Sequence, residues 1–99
     1  MLPSYQMFSE SVGTVFRVSA DEGEEDDLVL KSISEAKLRL IDGVESASFY
    51  MLFEGAGDRC LPQRTLLFTH PQLGQFAMFI VPNGPDRVTQ RMRYEVIFN

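Results

Sequence analysis

Cysteine and histidine are common carriers of nucleophilic and metal chemistry, and this chain has one of each, Cys60 and His70. Catalysis by this pair would need both side chains within hydrogen-bond reach. Residues 64–69 read as an extended strand, which separates the two by ~20 Å at about 3.3 Å per residue. One histidine and one cysteine also leave no ordinary zinc site. We therefore predict no catalytic residue and no metal site, with His70 in a turn and Cys60 as a small apolar filler.

Two loops resemble binding motifs but lack essential parts of them. The segment 21–27 contains six acids, but the helix-loop-helix calcium pattern needs an acid at its third position, which here is Gly23. A solvated hairpin tip explains this segment better. The segment Gly55-Ala56-Gly57 lacks the third glycine of a dinucleotide-binding loop, and no helix is predicted after it. We predict a turn there and no cofactor.

The net charge of −5 is unevenly distributed along the chain. Residues 1–58 hold twelve acids and four bases, whereas residues 59–99 hold two acids and five bases. Arg87, Arg91 and Arg93 are candidates for contact with nucleic acid, but a charged outer strand face explains them equally well. Because a clustered basic surface is lacking, we predict no nucleic-acid partner. We expect the acidic loop at one end and these arginines toward the other to orient head-to-tail contacts.

Apolar periodicity predicts a mainly β fold in which residues 1–99 form a single β-barrel-like domain. Its centre is a hairpin of two strands, 64–69 and 75–81, joined by a turn at 70–74. Further strands are predicted from alternating or apolar runs at 14–20, 28–34, 47–54 and 91–98. About six strands separated by turns favour a small antiparallel barrel or a strongly bent sheet.

Three local features are less regular. Residues 35–41 fit either a helical turn or a strand, and strand continuation is favoured because Asp42-Gly43 then supplies a turn. A further turn is predicted at 82–85. Residues 3–12 predict a short helix capped by Ser4 that docks onto the sheet through apolar side chains, namely Tyr5, Phe8 and Val12.

Several predicted strands are apolar on both faces. The runs 49–53, 66–68 and 78–81 do not alternate as a sheet with one wet face should. We expect the helix to cover one outer patch and a second copy or a protein partner to cover the rest, since large exposed apolar patches are rare on monomers. A sandwich-like closure that buries both faces is the alternative. The predicted interaction residues are outward apolar positions and the C-terminal arginines: Tyr50, Leu52, Leu67, Phe79, Val81, Arg87, Arg91 and Arg93.

The predicted location is cytoplasmic. No run approaches the ~20 apolar residues of a membrane span, so no membrane contact is expected. The N-terminal residues lack the basic and apolar regions of a signal peptide. A single cysteine also leaves no internal disulfide.

Five segments resemble a family of short bacterial proteins known only as a domain of unknown function. They are GTVFRV at 13–18, FYMLFEG at 49–55, LPQRT at 61–65, HPQLGQFAMFIVP at 70–82 and YEVIFN at 94–99. The matching positions are aromatic, glycine and proline residues, which implies a shared fold and shared turns. The resemblance carries no catalytic signature. It further implies proximity to phage-tail-like genes, and hence a structural or assembly role.

These observations together favour a non-enzymatic module that forms a homo-oligomer or binds a protein partner, with a phage-tail-like particle as the implied setting. The first alternative is a small-ligand binder that uses the barrel mouth. The second is a hydrolase of unknown substrate that depends on His70.

Overall fold

Antiparallel strands close into a barrel in the computed structural model, which describes residues 2–20 and 23–98. In chain order the elements are α1 (Tyr5–Ser9), β1 (Val15–Ser19), β2 (Glu25–Ile33), β3 (Lys37–Ile41), β4 (Val44–Glu54), β5 (Arg64–His70), β6 (Gly74–Pro85) and β7 (Met92–Phe98). The strand order is β2-β1-β5-β6-β7-β4-β3, and an additional β2–β4 pairing closes six strands into a ring. The predicted small antiparallel barrel is therefore confirmed, with β3 as an extra strand on β4.

The core is built from alternate positions of the barrel strands. In β6 the side chains of Phe76, Met78 and Ile80 are buried, as the period of two predicts. The predicted β5–β6 hairpin is present, with Phe68 opposite Phe76, and these two rings stack at 6.0 Å. In β7 the same period of two places Met92, Tyr94 and Val96 in the core.

One end of the barrel, which we call the helix end, is closed by α1. The Ser4 hydroxyl accepts a hydrogen bond from the Met7 N–H at 3.2 Å, so Ser4 is the predicted cap. The Phe8 side chain is completely buried. The Tyr5 hydroxyl donates to the Ser34 carbonyl at 2.9 Å. These contacts hold a helix too short to be stable alone.

The helix differs from its prediction in length and in what it covers. It ends at Ser9 rather than at residue 12, and the Val12 side chain is exposed instead of docked. Because Phe8 points between the inward rings of Phe49 and Phe76, α1 fills the end of the barrel and not a patch of its outer wall. The outer wall therefore receives no cover from this element.

Strand β3 continues β2 beyond the helix end. Ile33 at the end of β2 lies opposite Met51, and Lys37 at the start of β3 lies opposite Ser48, so both strands run along β4. Ser34 bridges the break between them, because its N–H donates to the Tyr50 carbonyl and its hydroxyl accepts from the Tyr50 N–H, each at 2.9 Å. The favoured interpretation of residues 35–41 as strand continuation is confirmed.

Residues 37–48 form a two-stranded ribbon that we name the arm. Its turn is the predicted Asp42-Gly43, whose φ angles of 51° and 79° are those of a type I′ hairpin. Strand β7 pairs with β4 only from Phe49 onward, so within the described residues the arm's strands pair only with each other. The molecule is correspondingly elongated, with extents of 45, 29 and 23 Å.

The predicted turn at 82–85 is wrong, because β6 runs through this segment. A bulge between Pro82 and Gly84 absorbs the irregularity while the pairing with β7 continues. Proline is tolerated here because β6 pairs with β5 only as far as Ile80, so the segment has one neighbour instead of two. The chain reverses instead at residues 86–91.

Candidate interaction surface

Apolar side chains form a band on the outside of the barrel wall, which we name the outer belt. Its members are Tyr50, Leu52, Leu67, Phe79, Val81 and Ile97. Tyr50, Leu67, Phe79 and Ile97 are 40% to 57% exposed, and Leu52 and Val81 are half-buried. All five apolar residues predicted for interaction therefore lie on the outer wall. No part of the described chain covers the exposed portions of Tyr50, Leu67, Phe79 and Ile97.

Strand register brings members of the belt together on neighbouring strands. Tyr50 of β4 lies directly opposite Ile97 of β7, and directly opposed side chains on one face of a sheet touch. Leu67 lies opposite the exposed Ala77, which is two residues from Phe79 on the same face of β6. The belt thus crosses four neighbouring strands.

A charged residue interrupts the belt. Glu95 lies opposite both Leu52 and Val81, and its carboxylate accepts a hydrogen bond from the Asn83 side-chain amide at 3.1 Å.

Ile97, two residues further on the same face, belongs to the belt but was not among the predicted residues. The alternation that places Arg93 and Glu95 outward also places Ile97 outward, so the sequence held the signal.

A second exposed apolar surface lies on the arm and was not predicted. Leu38, Leu40, Ile41 and Val44 are between 52% and 76% exposed. Leu38 and Leu40 lie on the face that continues the barrel interior, beyond the point where α1 fills it. Leu38 and Leu40 alternate as the inward residues of a strand do. This alternation does not reveal that the strand extends past the core, where both side chains are exposed.

A groove of about 480 Å³ lies where the arm leaves the barrel. Lys37 and Arg39 project into it from β3, and Tyr50 and Ile97 of the outer belt form its apolar part. Glu35 also lines it. Within the described residues, neither Lys37 nor Arg39 forms an ion pair. The groove therefore combines an apolar wall with two basic groups that are available to a partner.

The three predicted arginines lie at the same end of the barrel as the acidic segment. The connections β1–β2, β4–β5 and β6–β7 all leave the barrel at this end, which we call the loop end. The Arg59 guanidinium donates to the Glu25 carbonyl at 3.4 Å, which shows how near the connections are. The predicted separation of acidic loop and arginines along the barrel is therefore wrong, because antiparallel pairing brings alternate connections together.

Arg93 has a structural contact at the loop end. Its Nη1 lies 3.8 Å from Oδ2 of Asp86, and its Nε is buried without a partner among the residues the structure describes. The Asp86 carboxylate also accepts hydrogen bonds from the Thr89 and Val88 N–H groups, at 3.0 and 2.8 Å. These bonds, with the nearby Arg93 charge, lower the pKa of Asp86. Arg93 therefore supports the 86–91 turn, and the other two arginines are exposed.

His70 is the last residue of β5 and not a turn residue as predicted, and its buried ring is occupied by structural hydrogen bonds. The Gln72 N–H donates to its Nδ1 at 3.1 Å, so the ring proton is on Nε2, which donates to the Thr14 hydroxyl at 2.9 Å. Thr14 in turn donates to the Ser11 carbonyl at 2.6 Å. Burial lowers the pKa of His70. The ring ties the β5–β6 turn to the chain that follows α1.

Cys60 lies at the loop end, the opposite end of β5 from His70. The prediction that Cys60 is an apolar filler is wrong, because its side chain is exposed. The neighbouring Leu61 takes the buried position, and its N–H donates to the Tyr94 hydroxyl at 2.9 Å. The chain between β4 and β5 therefore turns Cys60 outward.

The described part of the acidic segment carries ion pairs on the surface. The Arg17 guanidinium lies 3.0 Å from the Glu25 carboxylate and 3.3 Å from that of Asp27, with all three side chains more than half exposed. Asp21 and Glu22 lie outside the described residues.

In the ranges 2–20 and 23–98, no group of three or more His, Cys, Asp or Glu residues is placed to hold a metal ion. No helix in this part of the chain is long and apolar enough to cross a membrane.

Comparison with family models matches residues 3–98 to the family described as a domain of unknown function, DUF6916. The predicted resemblance to an uncharacterised domain family is confirmed by this match. Neither the comparison with curated proteins nor the comparison with solved structures found a match.

Proposed function

Since the chain belongs to the DUF6916 family, whose description gives no activity, we propose from its surface that it is a non-enzymatic structural module whose outer belt is buried between copies of the chain. The observation that carries this proposal is the position of Tyr50, Phe79 and Ile97. They lie outside a barrel whose core is already complete, yet they are large and apolar.

The size of the belt supports self-association. Full burial of a large apolar side chain is worth about 1.5–3 kcal/mol, and the four most exposed members, which are 40% to 57% exposed, gain about half of this when covered. The gain must exceed the cost of association, which is about 4–15 kcal/mol. Four such side chains with the half-buried Leu52 and Val81 reach that range. An assembly component of a phage-tail-like particle in the cytosol is the setting that the resemblance implies, and this setting stays a prediction.

The barrel interior favours neither alternative function. The rings of Phe16, Phe53 and Phe68 contact one another there with centroid distances of 5.3 to 6.4 Å. A small ligand would have to displace these rings. His70, on which a hydrolase would depend, uses both ring nitrogens in structural hydrogen bonds.

The test is the solution mass of the full chain by light scattering over a range of concentrations. We expect a mass above the 11.2 kDa of one chain, and we expect the double variant Tyr50→Ser/Phe79→Ser to move toward the single-chain mass. Val88→Ser, which changes an exposed apolar residue at the loop end, is the matched control and should retain the wild-type mass.

Salt gives a second readout. Because the belt contacts are apolar, we expect the mass to change little as salt rises, whereas contacts between surface charges weaken with screening. A wild-type chain that remains a single 11.2 kDa species at millimolar concentration, or a Val88→Ser variant that dissociates as much as the double variant, contradicts the proposal.

A further inference from the structure

The outer edge of β3 presents unpaired backbone groups. A two-residue hairpin closes on a hydrogen-bonded pair, here Ile41 and Val44, and such pairs alternate along an antiparallel ladder. The backbone N–H and C=O groups of Leu38 and Leu40 therefore point away from β4. Within the described residues β3 pairs with β4 alone. An edge of this kind is a template for another strand.

The arm gains more from another strand than a barrel strand would. A two-stranded ribbon is marginally stable in water, and a third strand or a packing partner is usually needed. The arm has two strands and extends beyond the helix that closes the barrel. Its five β3 side chains are all exposed. The arm is therefore the part of the fold with the most to gain from an added strand.

The side chains of β3 define the chemistry of such a strand. Lys37 and Arg39 lie on the outer face, in the groove beside Tyr50 and Ile97. Leu38 and Leu40 lie on the opposite face. A strand added to this edge places one set of its side chains beside the two basic groups and the alternate set beside the two leucines. Acidic residues suit the first set and aliphatic residues the second.

We propose that the edge of β3 accepts an extended segment of a protein partner in which acidic and aliphatic residues alternate. The backbone of Leu38 and Leu40 supplies the hydrogen bonds, and Lys37 and Arg39 supply charge complementarity. This interaction goes beyond the proposed self-association, because it uses the arm edge and not the covered face of the outer belt.

A second copy of β3 suits this edge less well. Antiparallel pairing of two β3 strands through Leu38 and Leu40 places Arg39 directly opposite Arg39 of the other copy. That pair is a non-hydrogen-bonded one, in which the Cα atoms approach to about 4.5 Å and the side chains are closest. Like charges directly opposite each other are destabilising. The charge of Arg39 thus selects against self-pairing and for an acidic partner strand.

The test uses amide NMR of the isotopically labelled full chain, with a short capped peptide of alternating glutamate and valine as the probe. We expect the peptide to shift the amide signals of Leu38 and Leu40 and to slow their hydrogen exchange, with the signals of Val88 and Thr89 unchanged. A lysine–valine peptide of the same length should bind at least about fivefold more weakly, given like-charge contacts with Lys37 and Arg39.

Two charge-reversal variants separate the arm edge from general electrostatics. Arg39→Glu should weaken glutamate–valine binding by about fivefold to tenfold and strengthen lysine–valine binding. Arg87→Glu makes the same change in net charge at an exposed loop-end position and should leave both affinities unchanged. Leu40→Pro, which removes an outward N–H without removing a ladder bond to β4, should abolish the protection of Leu38.

Four results overturn the proposal. The first is equal binding of the two peptides, and the second is an equal effect of Arg39→Glu and Arg87→Glu on that binding. The third is that millimolar peptide does not slow the hydrogen exchange of Leu38 and Leu40. The fourth is that these two amides are already protected from exchange without peptide and lose this protection when the protein is diluted. The last result assigns the edge to a second copy. The solution mass of the Tyr50→Ser/Phe79→Ser variant does not depend on any of these results. Failure of the strand-pairing proposal can therefore be distinguished from failure of the proposed self-association.

Discussion

Replacing Phe8 with alanine removes the ring that closes the helix end of the barrel. The ring is completely buried, and its centroid lies 5.6 Å from that of Phe76, 5.9 Å from that of Phe98 and 6.4 Å from that of Phe49. The helix that carries Phe8 is five residues long, too short to persist without tertiary contacts. The change therefore leaves a cavity and also weakens the attachment of α1.

The expected cost follows from this environment. Truncation of a buried phenylalanine to alanine costs about 3–5 kcal/mol, through lost transfer energy and the residual cavity. We expect the upper half of this range, because three neighbouring rings also lose aromatic contacts. Domains are typically stable by about 5–15 kcal/mol, so a loss of about 4–5 kcal/mol should lower the urea midpoint by about a quarter or more.

Urea unfolding followed by far-ultraviolet circular dichroism measures this loss. Met7→Ala is the matched control, because Met7 is on the same helix but is 39% exposed, and we expect it to cost less than about 1 kcal/mol. If α1 undocks in the Phe8→Ala variant before the barrel unfolds, the slope against urea should fall as well. A loss below about 1 kcal/mol, or one equal to that of Met7→Ala, would refute the assignment of Phe8 as the residue that closes the barrel.

Two further predictions concern the two ends of the barrel. Burial lowers the pKa of His70 in the folded state, so the unfolded chain binds a proton at this ring more readily. The free energy of unfolding should therefore fall as pH decreases below about 6.5, by at most about 1.4 kcal/mol per pH unit. Urea midpoints at about pH 7.5 and about pH 5.5 should show this fall in the wild type and a smaller one in His70→Gln, and equal falls would contradict it. A Cβ at Gly57 would overlap the backbone carbonyl of Gln90, so Gly57→Ala should cost about 1–3 kcal/mol in thermal or urea unfolding. Asp58→Ala, at the exposed neighbouring position, should cost less than about 0.5 kcal/mol, and a similar cost for both variants would contradict the overlap.

The central hairpin was predictable because its signals are local. A period of two places Phe76, Met78 and Ile80 on one face, and Gly74 supplies the positive φ of 85° that the turn requires. The arm turn at Asp42-Gly43 was predictable for the same reason. Each depends on residues within one hairpin, and none needs the rest of the fold.

The errors occur where position depends on distant strands. The segment from Pro82 to Gly84 has the composition of a turn, but it forms a bulge in β6. A strand tolerates proline there because the segment has only one neighbouring strand, and the sequence does not reveal this. Arg87 was expected far from the acidic segment because the two are distant in sequence, but barrel closure brings their connections to one end. The outward turn of Cys60 also depends on a neighbour, since Leu61 occupies the buried place beside Tyr94.

The two exposed apolar surfaces, the outer belt and the arm, differ in what they offer a partner. Tyr50 and Phe79 lie on β4 and β6, which are inner strands of the sheet, so they offer a partner chiefly side chains and constrain its direction weakly. Leu38 and Leu40 lie on a strand with a free edge, so a partner there must also match backbone hydrogen bonds, and its direction and register are fixed. Apolar packing on the belt and strand pairing on β3 are therefore separable contacts. A chain that carries both can join a second copy through one surface and present an oriented edge to a different protein through the other.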